Sequence, residues 1–108
     1  MRYEVLLTAA ADADLSEIVG WIAEHDSPER AEHVLQRISD AIDSLAQFPE
    51  RGSYPKELLA VGMREYRETR FKPWRIVYRV EARRVFVYLI ADGRRDLREL
   101  LSRRLLGA

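Results

Sequence analysis

The chain has 108 residues, 47% apolar and 33% charged, with 18 basic and 18 acidic side chains and no cysteine. That length holds one modest core, and the balance is that of a folded soluble chain rather than a disordered one. No apolar run approaches the ~18 residues that span a bilayer, and no disulfide framework or thiolate metal site is available.

In chain order, RYEVLLT at 2–8 alternates Tyr3, Val5 and Leu7 and predicts a first strand. Leu15, Ile18, Val19 and Ile22 then recur at helical spacing, with Asp12 and Asp14 near the positive end of the helix dipole. SPER at 27–30 restarts the chain: Ser27 suits an N-cap, Pro28 the first helical position and Glu29 the first turn. Ala31, Val34, Leu35, Ile38, Ile42, Leu45 and Phe48 form the stripe of a second helix that Pro49 ends. So few residues separate the two helices that an antiparallel hairpin follows.

Residues 49–63, with Pro49, Gly52, Pro55 and Gly62, read as a loop with one helical turn. Three strands are expected next, over 64–71, 74–81 and 85–91, turning at Lys72-Pro73 and Ala82-Arg83-Arg84. The first is mostly polar and belongs at an edge or half exposed; the third, VFVYLIA, is apolar on both faces and belongs in the centre. Leu97, Leu100, Leu101 and Leu105 then mark a short C-terminal helix. The fold class is α+β: an N-terminal strand, a helical hairpin, a mainly antiparallel sheet and a C-terminal helix, in one domain covering 1–108. The opening MRYEVLLTAAADADL lacks a secretory signal pattern, so a cytoplasmic location is expected.

Charge is unevenly spread along this order. Residues 1–50 carry 3 basic and 11 acidic side chains, a net of −8, and residues 51–108 carry 15 and 7, a net of +8. Such halves either form opposed faces, one attracting an anionic partner, or bridge each other across the fold.

Catalytic patterns are absent: there is no Gly-rich phosphate loop, no GxSxG and no HExxH. His25 and His33 read as solvated surface residues, Asp12, Asp14 and Glu17 as helix-dipole charges, and Ser53 has no base nearby. No metal or cofactor is implied. The arginines of REYRETRFKPWRIVYRV (64–80) are the informative feature. Arg75 and Arg79 share a strand face with Val77 between them, Arg64 and Arg70 share a face by parity, and Arg67 takes the other. Guanidinium groups on a rigid sheet beside Trp74 and Tyr78 suit carboxylate or phosphate recognition; the plainer alternative is a solvated edge kept from aggregating by charge. Arg94 and Arg95 follow the third of these strands and extend the basic surface.

FPERGSYPKEL, GMREYRE, WRIVYRV and VFVYLIADGRRD, after the helical hairpin, resemble in order and spacing the ParE branch of the ParE/RelE toxin superfamily. The resemblance covers nearly the whole chain. It implies a toxin of a type II toxin–antitoxin module that inhibits DNA gyrase, is held inactive by a cognate antitoxin and binds no specific DNA sequence or membrane by itself. It further implies that an acidic, apolar antitoxin tail meets the arginines and lies in a groove flanked by Trp74, Tyr78 and the hairpin. The RelE-like alternative is a ribosome-dependent mRNA endoribonuclease using Arg70 and Arg95; another is a non-toxic corepressor. Several such nucleases place a tyrosine where this chain has Leu100 or Leu101, and leucine transfers no proton. Many ParE relatives carry a histidine where this chain has Asp92. Arg64, Arg67, Arg70, Trp74, Arg75, Tyr78, Arg79, Arg94 and Arg95 are therefore the expected docking residues, with no catalytic residue among them.

Overall fold

The computed structural model describes residues 2–106. β1 (Glu4–Leu7) leads into α1 (Ala9–His25) and α2 (Pro28–Ser44), then come the single-turn α3 (Lys56–Leu59), β2 (Arg67–Phe71), β3 (Trp74–Glu81), β4 (Arg84–Asp92) and α4 (Arg98–Leu106). The strands form one sheet in the order β1-β4-β3-β2, with β1 parallel to β4 and the other pairs antiparallel. This is the expected α+β arrangement. Apolar β4 lies between two strands and polar β2 lies at an edge, as their compositions anticipate.

Both long helices start on side-chain caps. The Thr8 hydroxyl accepts the Ala11 N–H at 3.1 Å, and Ser27 accepts that of Arg30 at 3.0 Å, with Pro28 opening the first turn of α2. The hairpin buries Ala31, Val34, Ile38 and Ile42 of α2 against Ile76, Tyr78, Val85, Val87 and Ile90 of the sheet. Two residues assigned to that stripe are not on it: Leu35 and Phe48 are 37% and 49% exposed. α2 ends at Ser44, so the following turn carries Phe48 off the buried face, where the Arg51 guanidinium lies 4.5 Å from its ring centroid.

The other face of the sheet has its own core. Leu58 of α3 and Leu97 and Leu101 beside and on α4 pack with Tyr66, Val77, Leu89 and Ala91. A β-bulge adjusts β4 to serve both cores: Val77 pairs with Leu89 and Tyr78 with Val87, leaving Tyr88 without a partner on β3. Val85, Val87 and Ile90 consequently face the hairpin, while Leu89 and Ala91 face α4. β1 ends opposite Val87, so the next stretch of β4 lacks a neighbour strand on that side. There the Asp14 carboxylate accepts the Ile90 N–H at 3.0 Å, and Arg104 Nη1 donates to the Tyr88 carbonyl at 2.9 Å and to Asp14 at 2.8 Å. Asp14 is thus a pairing residue, beyond its place near the start of α1. Together with the Glu4–Arg84 pair it bridges the acidic and basic halves of the sequence. Among the described residues no helix is long and apolar enough to cross a membrane.

Candidate docking groove and the arginine positions

The nine expected docking residues fall in different places. Arg75 is not part of an exposed face: it is 2% exposed, beneath α3. Its Nε donates to Glu68 at 2.7 Å, and Nη1 and Nη2 donate to the two carboxylate oxygens of Glu57, each at 2.7 Å. The hydrogen bond from Arg75 holds the Glu57 carboxyl below its ordinary range, against the opposing effect of burial, and Glu57 in turn pushes the Arg75 pKa up. Gly93 permits this arrangement, because a Cβ there would lie 2.9 Å from the Arg75 side chain. Arg70 completes the network on its exposed side, donating to Glu68 at 3.1 Å. Arg75 and Arg79 do share a strand face, but burial separates their roles. Tyr78 is also inside, fully buried on the hairpin side, donating its hydroxyl to the Pro49 carbonyl at 2.6 Å and accepting the Gly52 N–H at 3.2 Å. It anchors the loop after α2 and flanks no groove.

Arg64, Arg67 and Arg79 line a shallow depression at one end of the β2–β3 ribbon. The strand expected over 64–71 begins only at Arg67, so Arg64 stands in the preceding loop and shares no strand face with Arg70. Arg67 donates to the Gly52 carbonyl and the Tyr54 hydroxyl at 2.9 and 3.1 Å.

Trp74, Arg94 and Arg95 lie at the opposite end of the ribbon, in a groove of about 740 Å³ between the hairpin and the ends of β3 and β4. Its floor is apolar, with Ile18, Ile22, Val34, Phe71 and Trp74. The rim on the hairpin side is mainly acidic, with Asp14, Glu17 and Asp26 beside Arg30; the rim at the strand ends is mainly basic, with Lys72, Arg94 and Arg95 beside Asp92. Among the described residues no ion pair crosses between these rims: Asp14 is held by Arg104, and Arg94 by Asp92, whose carboxyl is kept low by that contact. Opposed, unbridged charges above an apolar floor suit a macromolecular segment that supplies both apolar anchors and counter-charges.

Reading the sequence missed three participants here. Trp21 is 62% exposed at the groove, its ring stacked 4.4 Å from that of His25. A tryptophan off the Leu15/Ile18/Val19/Ile22 stripe was the available signal. Glu57 and Glu68 gave none, since nothing in a four-residue helix or a polar strand marks a carboxylate for burial. Of the alternative nuclease pair, Arg95 lines the groove whereas Arg70 is tied to Glu68, and Leu101 is 1% exposed in the second core. No group of three or more His, Cys, Asp or Glu side chains among the described residues is placed to hold a metal ion.

The fold is that of a small α+β protein with a groove of mixed charge between its hairpin and its strand ends. Residues 5–97 match the family described as ParE toxin of type II toxin–antitoxin system, parDE. Toxin ParE3 of Caulobacter vibrioides is 28% identical over 100 residues, covering 93% of this chain and 96% of that protein. Among solved structures, the chromosomal ParDE toxin–antitoxin system from P. aeruginosa superposes with a TM-score of 0.72 at 20% identity, over 84% of this chain and 96% of that one. The toxin–antitoxin complex RelBE2 from Mycobacterium tuberculosis gives 0.60 at 19% identity, over 85% and 92%, a likeness of fold. The chain belongs to the ParE toxin family and is a toxin of the type II toxin–antitoxin class.

Proposed function

We propose that this toxin acts as a single domain in the cytoplasm, inhibits DNA gyrase without catalysing a reaction, and is neutralised by a cognate antitoxin seated in the groove. The groove carries the reading: its floor accepts apolar side chains, and Lys72, Arg94 and Arg95 accept carboxylates. Membership of the ParE branch supports gyrase as the target. The non-enzymatic part is supported by the arrangement of the RelE-like candidates: Arg70 is committed to Glu68 and Leu101 is core. Arginine, charged at any physiological pH, is also a poor general base.

Two assays on the purified toxin test this. It should block supercoiling by purified gyrase and leave mRNA intact in a translating ribosome extract. Ribosome-dependent cleavage lost in Arg70→Ala or Arg95→Ala, with gyrase unaffected, would replace this reading with the nuclease. Inactivity in both assays beside tight antitoxin binding would leave a corepressor.

A further inference from the structure

The depression lined by Arg64, Arg67 and Arg79 has no part in the groove reading. It lies at the other end of the β2–β3 ribbon, about 15 Å away along strands that rise ~3.3 Å per residue. The β3–β4 turn brings Arg83 and Arg84 to the same end. Arg79 and Arg84 are partly neutralised by Glu81 and Glu4, but Arg64, Arg67 and Arg83 form no ion pair among the described residues. Glu50 and Glu65 also line the depression, and Glu65 accepts the backbone N–H of Arg64. The guanidinium groups are oriented by tyrosines. Those of Arg64 and Arg67 lie 5.7 and 4.6 Å from the Tyr54 ring centroid, and that of Arg79 lies 5.8 Å from Tyr66. Arginines stacked in this way lose little freedom when they bind a planar or tetrahedral anion bidentately.

We propose that this end of the molecule is a second docking site, for the sugar–phosphate backbone of duplex DNA, read without regard to sequence. A duplex fits better than a single strand because no bare aromatic platform is offered. Tyr54 is covered by two arginines, and Tyr66 is buried with its ring edge-on to Tyr88 at 5.4 Å. Unstacked bases need such a platform, whereas phosphates need only oriented charge.

The test is fluorescence anisotropy of the purified toxin with a short labelled duplex of mixed sequence, across a salt series. Affinity should fall with salt, with a log–log slope of about −0.9 per phosphate engaged, and Arg64→Ala should make that slope shallower by about that amount. The double variant Arg64→Glu/Arg83→Glu, both sites exposed, should weaken binding at least about tenfold, and Arg94→Glu/Arg95→Glu in the groove should change it less than about twofold. Absent duplex binding at low salt, binding indifferent to Arg64→Glu/Arg83→Glu, or a preference for single-stranded RNA of equal length would each overturn the proposal. The assay contains no gyrase, so its failure leaves the gyrase reading standing.

Discussion

Removing the Arg75 guanidinium would leave the Glu57 and Glu68 carboxylates, 8% and 3% exposed, facing one another without their shared counter-charge. Arg75→Ala should therefore cost about 3–5 kcal/mol, the range for breaking a buried pair by deleting one partner. Arg94→Ala, on an exposed pair with Asp92, should leave the urea midpoint almost unchanged. Urea melts of both variants measure the contrast. Acid should reveal the same network. The Glu57 pKa is lowered in the folded protein by its hydrogen bond to Arg75, so its contribution is complete above the ordinary carboxyl value of 4.5. It is lost as pH falls through the lower folded value, so Glu57→Gln should lose less stability than the wild type between about pH 5 and pH 3. Thermal melts over that window check the sign. Strand parity made the shared face of Arg75 and Arg79 legible in the sequence. It could not show that a helix of four residues would fold over one of the two and leave the other partly exposed.

At the scale of elements, the hairpin core should dominate stability. Ile38 is fully buried, and Ile38→Ala should cost about 2–5 kcal/mol, whereas half-exposed Phe48→Ala should cost under about 1 kcal/mol. Ala82 in the β3–β4 turn has φ 55°, a left-handed conformation that favours glycine. Ala82→Gly should therefore be neutral or stabilising by up to about 1 kcal/mol in the same melts. The elements themselves were largely legible, because alternation marks β3 and β4, and Ser27-Pro28 marks the start of α2. The bulge at Tyr88 was not, since it is defined by a count between paired strands and by no residue of special type. The extent of the α2 stripe was overread for a related reason: periodicity continues through Phe48 although the helix stops at Ser44.

For the whole molecule, placement of charge matters more than its zero sum. The groove and the arginine depression lie at opposite ends of one ribbon, so a segment filling the first leaves the second open. If the antitoxin carries an acidic tail, its association with the toxin should slow as salt rises, because long-range attraction to Lys72, Arg94 and Arg95 is screened first. Stopped-flow association rates across a salt series decide that point. The sequence singled out Trp74, Arg94 and Arg95 as members of one basic surface, and these three do share the lining of the groove. It could not divide the nine residues among a groove, a depression, the ion-pair network under α3 and, for Tyr78, the hairpin core, because that division depends on which end and which face of the ribbon each residue reaches.

Antitoxin relief of gyrase inhibition tests the central claim most directly, with wild-type toxin compared with Trp74→Ala and with Arg94→Glu/Arg95→Glu. The groove account predicts that the antitoxin restores supercoiling fully for the wild type, and that the groove variants need at least about tenfold more antitoxin, the loss of one hot-spot anchor. Equal rescue of all three toxins, each shown to be folded, would contradict it and move the antitoxin off the groove.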